Sequence, residues 1–261
     1  MRLTLIKCLF ILPLFFLGIP VKSNEQPIEI TVVSDEWQGF VTKEGQGYYL
    51  DILRKTFPSP NYRLKLSILP YSRALYQVQR NQADIVLGIW ANEHPISQLS
   101  HYPVENDILD AIMRADHNQI TGPESFNELR VLSRIGYQVD QLLNQPENYV
   151  EHVEIEKMIK MVTSNRADAL IDYKSAIMPV LQNLNKRDEL HNPLTLIENA
   201  LTEYVFFGFC ALPKCLHLKQ KFDKAYLHFY QTGDIEKALL ANQQELSALP
   251  PLIPASEVLE Q

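Results

Sequence analysis

Apolar and polar positions along this chain alternate between two periods, and the change of period marks out its elements. "IEITVVS" (28–34) is a β-branched run that predicts a strand. "GYYLDILRKTF" (47–57) repeats its apolar residues at helical spacing and is stopped by "FPSP". "YRLKLSIL" (62–69) returns to strict alternation, "YSRALYQVQRNQ" predicts an amphipathic helix, and "ADIVLGIW" (83–90) predicts a buried strand. Strand, helix, strand, helix, strand is the pattern of a parallel α/β unit.

The pattern then restarts. "TGPESFNELR" predicts a turn and a short helix capped by Ser125, "VLSRIG" a strand, "VDQLLN" the start of a helix and "YVEHVEI" another strand. "EKMIKMVTSNR" and "ADALIDY" close this second unit as helix and strand. Its "SNRADALIDYK" (164–174) echoes "RNQADIVLGIW" (80–90) at an offset of 84 residues. Two equivalent units predict two lobes. "ILDAIMRAD" (108–116) and "EYVFFGFCAL" (203–212) read as the connections between them. The helical residues after Cys215 need a surface to pack on, which returns them to the first lobe. The expected division is 24–110 for the first part of lobe one, 111–203 for lobe two and 204–261 for the return to lobe one. The proline-rich tail "ALPPLIPASEVLEQ" predicts irregular structure.

The N-terminus changes the picture of where this protein works. "MRLTLIKCLFILPLFFLGIPVKS" has two early basic residues, about twelve apolar positions and small residues before position 24, the pattern of a cleavable export signal over residues 1–23. The apolar run is too short for a bilayer that needs about 20 residues. Loss of this segment removes Arg2, Lys7 and Lys22, so a net charge of −7 becomes −10 on the remaining 238 residues. That surface disfavours nucleic acid and anionic lipid as partners. Cys210 and Cys215, the two cysteines that remain, predict a local disulfide in an oxidising compartment.

The ordered set "YYLDILRKTF", "PYSRALYQVQRNQADIVLG", "PESFNELRVLSRIGYQVDQL", "IKMVTSNRADALIDYKSA" and "YLHFYQTGDIEKAL" resembles the periplasmic solute-binding proteins of the polar amino-acid type, family 3, over nearly all of the mature chain. The resemblance implies two α/β lobes joined by two hinge crossovers, a type II periplasmic-binding-protein-like fold with a ligand cleft between the lobes. It also implies a monomer without cofactor or metal, located in the periplasm. Such a protein captures a small polar molecule by hinge closure and hands it to a membrane permease or a receptor.

Candidate contacts follow from that expectation and from the rule that ligands of α/β sheets sit at the carboxyl ends of strands. Asp172 matches the family's final aspartate, which meets a ligand ammonium group. The family's carboxylate-binding arginine is missing: His94 and Pro95 stand in its neighbourhood, and no arginine occurs between Arg80 and Arg114. Arg73 and Arg134 are the cations that could replace it. Trp37, Tyr71, Trp90 and Tyr102 fall in loops or at strand ends and suit a ligand with an apolar or cationic part. Asp84 and Asp168, at helix-to-strand turns, are assigned to structure.

No nucleophile elbow, zinc-protease motif, phosphate loop or dinucleotide fingerprint is present. Glu93 and His94 form the one acid–base couple worth weighing as catalytic, and adjacent side chains rarely point the same way. The expected protein is a binder, with a sensing or interaction module without transport as the alternative and a dehydratase-like enzyme behind it.

Overall fold

A computed structural model of the chain describes residues 26–258 other than 117–119, 121, 138 and 144–147. The expected export signal lies outside the described residues. None of the described helices is long and apolar enough to cross a membrane.

The strands are β1 (Ile28–Ser34), β2 (Tyr62–Ile68), β3 (Ile85–Trp90), β4 (Glu105–Arg114), β5 (Val131–Arg134), β6 (Tyr149–His152), β7 (Ala169–Asp172) and β8 (Leu194–Phe209). Between and after them run α1 (Tyr48–Thr56), α2 (Tyr71–Gln79), α3 (Val139–Leu142), α4 (Ile155–Thr163), α5 (Lys174–Lys186), α6 (Pro213–Gln231), α7 (Asp234–Ala241) and α8 (Ala255–Val258). The strands join in one sheet of order β2-β1-β3-β8-β4-β7-β5-β6. The first unit contributes three parallel strands in the order β2-β1-β3, and the second contributes its own three in the matching order β6-β5-β7. The sequence echo is therefore a repeat of topology as well as of residues.

Both turns of the echo are built alike. Asn81 and Asn165 each adopt left-handed φ, 58° and 59°, a conformation that asparagine tolerates better than most residues. Three residues later, Asp84 accepts hydrogen bonds from the Thr31 N–H and hydroxyl, both at 2.8 Å. Asp168 in the same way accepts from the Arg130 N–H at 2.9 Å and from its guanidinium. Each carboxylate ties its own strand to the central strand of its unit. The structural assignment of both residues follows from these bonds.

Between the units lie β4 and β8, long and antiparallel. They pair with each other and each joins one half: β8 pairs with β3 of the first, and β4 with β7 of the second. Their register breaks at one place, where Asp110 alone stands against residues 198–200 of β8. Asn199 takes up a φ of 55° there, and its N–H donates to Asp110 Oδ1 at 3.0 Å. Asp110 Oδ2 accepts from the N–H of Lys174, the first residue of α5. Such a bulge bends the strand that carries it.

The first half packs β1, β3 and β8 against α1 and α6 through Ile30, Val32, Leu53, Phe207 and Phe222. The second has a smaller core around Ile112, Leu132, Ile159, Val162 and Leu170. The residues after Cys215 return to the first half, as their need for a packing surface requires, and Lys55 of α1 pairs with Asp234 of α7. Cys210 and Cys215 are bonded and join the end of β8 to the first turn of α6.

Three local expectations are corrected. Residues Pro123–Phe126 form a 3₁₀ turn whose preceding residue is Gly122, so Ser125 lies inside the turn and not at its cap position. The return crossover starts at Leu194, nine residues before the apolar run that predicted it. The tail is not wholly irregular, since it contains the short α8.

Candidate ligand-binding cleft

The C-terminal ends of β1, β3, β5 and β7 converge beside the crossover strands. The convergence follows from topology: two parallel units related by a repeat, joined through antiparallel strands, turn their carboxyl ends toward each other. The side chains meeting there belong to both halves and to β4.

Asp107 of β4 is the point of contact. Its Oδ2 accepts from Trp90 Nε1 at 3.3 Å on one side and from the Tyr173 hydroxyl at 3.0 Å on the other. Asp107 is buried, and burial drives its carboxyl up to about 6 although both hydrogen bonds work against the rise. Glu105, two residues earlier on the same strand, is bonded by the Tyr49 hydroxyl. Burial first, and the charge of Asp107 second, raise Glu105 well above the carboxylate range. A further bridge between the halves runs from Asn92 Nδ2 to Gln141 Oε1 at 2.7 Å.

The first half contributes an aromatic and acidic wall. Trp37 meets Tyr71 and Tyr49 edge to face, with ring centres 6.0 and 6.5 Å apart. Its ring lies over Gly88, where a Cβ would come within 2.6 Å of Trp37 Cζ3. Tyr71 donates through its hydroxyl to Glu93 Oε2, which also takes the Trp90 N–H at 2.8 Å. The Oε1 atom of Glu93 is sealed from solvent and has no hydrogen-bond partner among the described residues. Burial raises Glu93, opposed by its bonds to Tyr71 and Trp90. Asp35 receives the Tyr71 N–H at 3.0 Å and holds the first turn of α2 to the end of β1.

The second half is different in kind. Asp172, with no solvent exposure, is clamped by the Arg134 guanidinium through Nε at 2.6 Å and Nη2 at 2.7 Å. The guanidinium also lies over the Tyr137 ring at 4.5 Å and the Tyr173 ring at 5.9 Å. Burial works to neutralise Arg134, and the two bonds to Asp172 outweigh it, so its pKa is raised. Asp172 is raised by burial despite the same pair.

Of the residues singled out in the sequence, Trp37, Tyr71, Trp90, Arg134 and Asp172 come together at these strand ends. Arg73 lies close by in the first turn of α2 with an exposed side chain that makes no hydrogen bond or ion pair among the described residues. His94 is elsewhere. It is buried against β8 and bonds through Nε2 to the Phe209 carbonyl at 2.9 Å; Phe209 pairs with Ile85, at the opposite end of β3. Glu93 and His94 thus reach in different directions. Tyr102 packs on His101, whose carbonyl accepts from Ala255 N–H, and is also outside the group.

Sequence reasoning missed Asp35, Asp107, Tyr137 and Tyr173 as parts of the site. The acids of "VENDILD" read as a polar lead-in to a connecting strand, and nothing in their spacing announced their burial. A separate groove of about 310 Å³ lies where α1 meets α6 and α7. Its Lys55 is already paired with Asp234 and lies over Phe229.

The whole architecture superposes on solved proteins of low sequence identity. One is the sensor domain of a histidine kinase with similarity to periplasmic binding proteins, at TM-score 0.62 and 15% identity over 87% of this chain and 99% of that one. The fold is that of the two-lobed periplasmic-binding proteins. An ancestral arginine-binding protein bound to arginine gives TM-score 0.57 and 13% identity, covering 83% and 99%. The substrate-binding protein of an amino acid ABC transporter gives TM-score 0.55 and 12% identity, covering 81% and 97%. The chain matches no protein-family model, and no curated protein sequence matches it significantly.

Proposed function

We propose that this periplasmic-binding-protein-like chain is a non-catalytic, exported solute-binding protein. It takes a small polar molecule, an amino acid or a relative of one, between its lobes and passes it to a membrane transporter. The observation that carries the reading is Asp107, a buried carboxylate bonded at once from Trp90 of one half and Tyr173 of the other. A bond network that spans two halves at their strand ends links occupancy of the cleft to closure. Solved neighbours of the same fold that bind amino acids support the reading. Trp37, Tyr71 and Trp90 are the proposed contacts, with Arg73 at the mouth and the Arg134–Asp172 pair forming the facing wall. The division into lobes at 110/111 and 203/204 is proposed with it, both junctions falling within β4 or β8.

Thermal unfolding of the purified protein against amino acids, amines, small peptides and organic acids tests this. A ligand at about 100 times its Kd adds about 2.7 kcal/mol. At 2–4 °C for each kcal/mol, that shift is plainly visible in a chain of this size. Product formation from any of these compounds would contradict the non-catalytic reading.

A second reading is a sensing module that signals across a membrane without transport. It is favoured by the histidine kinase sensor domain among the solved neighbours. A cooperative melt that no compound shifts, together with retention of the protein by a membrane receptor, would select it.

A further inference from the structure

Resting on the solute-binding reading, we infer that the cleft takes a small amine that lacks a carboxylate, seated on Glu93 and Asp107 among the rings of Trp37, Tyr71 and Trp90.

The inference comes from an inventory of charge. A zwitterionic amino acid needs a cation for its carboxylate as well as an acid for its ammonium group. Among the described residues, the cations at or near these strand ends are Arg134, Lys174, Arg73 and Lys43, the last paired with Glu36. Arg134 spends two donors on Asp172 at 2.6 and 2.7 Å and is packed against two tyrosine rings. Lys174 is paired with Glu198. Arg73 stands exposed in the first turn of α2, at the mouth, with no acid paired to it among the described residues. The acids of the first half and the crossover show the opposite balance. Glu93 and Asp107 are held by the hydroxyl of a tyrosine, an indole or a backbone N–H, and no lysine or arginine pairs with either among the described residues.

Glu93 also supplies the second observation. Its Oε1 is out of reach of solvent and has no hydrogen-bond partner among the described residues. A buried carboxylate oxygen in that state is costly unless a donor arrives. An ammonium group supplies up to three donors and the missing positive charge. The tryptophan and tyrosine faces beside it attract a cation through their ring quadrupoles. A ligand carboxylate placed there would face two acids, and the unpaired guanidinium nearest to it, Arg73, stands exposed at the mouth and not among the buried rings. Arg134, by sealing Asp172, thus helps set specificity without touching the ligand.

Calorimetric titration of the purified protein with matched pairs decides the matter. Putrescine is set against ornithine, and agmatine against arginine; each pair differs only by the carboxylate. The expected result is that at least one amine binds at least tenfold more tightly than its carboxylated partner. Glu93→Gln should weaken that amine by about tenfold or more, the usual worth of a charge-assisted bond. It should leave the melting temperature of the free protein nearly unchanged, because the amide oxygen still accepts from Trp90 and Tyr71. Equal or tighter binding of ornithine or arginine overturns the ligand class and leaves solute capture standing. Amine affinity that ignores Glu93→Gln overturns the seat. If neither these probes nor the wider compound set binds to a cooperatively folded protein, both the inference and solute capture fall.

Discussion

The two halves of the sheet repeat each other at an offset of 84 residues, yet at one equivalent position they hold opposite things. In the second half that position is Asp172, a fully buried carboxylate answered by Arg134. In the first half it is Gly88, whose missing side chain lets the Trp37 ring lie against the strand. The acids that the first half brings to these strand ends, Asp35 and Glu93, come from outside the repeated segment. At these strand ends the second half pairs its buried acid with its own arginine, while Glu93 of the first half and Asp107 of the crossover have no lysine or arginine partner among the described residues. The repeat thus built the frame twice but the chemistry once: a self-satisfied pair holds the second wall in shape, and on the proposed reading the acids of the first wall await a cationic partner.

The sharpest way to break the comparison is to remove the internal answer. Arg134→Ala leaves Asp172 buried without a counter-charge, and loss of one partner of a buried pair costs about 3–5 kcal/mol. Chemical denaturation should show that loss, and Asp172→Asn added to Arg134→Ala should recover part of it. An Arg134→Ala protein as stable as the parent would mean that the second half is not self-balanced. Filling the glycine tests the other side. Gly88 has a φ of 69°, so Gly88→Ala adds left-handed strain and drives a methyl against Trp37. A loss of about 2 kcal/mol is expected, together with a change in tryptophan fluorescence.

Smaller effects sharpen the picture. Asp107 titrates at about 6 in the folded protein because burial raises it from 3.8. Between about pH 4 and 6 the native state therefore holds a proton that the unfolded chain has released, and stability falls as pH rises through that window. The ligand-free protein should gain about 1 kcal/mol from this residue on going from pH 7 to 5. Glu105, raised further, adds to the gain with the same sign. Asp107→Asn keeps an oxygen for Trp90 and Tyr173 and should flatten part of the pH profile. A profile that falls with acidification over the same range would show these acids to be charged and paired in the native protein. Smallest of all, Arg73→Ala at an exposed site should move stability by less than about 0.5 kcal/mol.

Much of the frame was legible in the sequence. β-branched alternation and helical spacing mark the elements of both units, and the paired Asn-x-x-Asp turns explain why the echo is so easily seen. The site was legible only in part. Trp37, Tyr71, Trp90 and Asp172 could be found because they stand at or beside strand ends. The Arg134–Asp172 pair could not be read as a pair. The two lie 38 residues apart and meet because β5 and β7 are neighbours in register, a tertiary fact with no local pattern. His94 was drawn in by its place after β3, yet a 3₁₀ turn at Ala91–Glu93 and the packing on Gly208 carry it into the core. The acids of β4 were hidden by their own alternation, which reads equally well as a solvated face.

The bulge at Asp110 bears on how such a protein can be rebuilt. Its carboxylate is hydrogen-bonded to the Asn199 N–H, so two points of the crossover strands on either side of the second half lie one side chain apart. Everything between them is, in engineering terms, a cassette with adjacent ends. Exchange of residues 111–198 for another second half would disturb two neighbouring junctions in one sheet and no distant loop. Grafting at that seam would keep the acidic, aromatic wall while replacing the wall it faces.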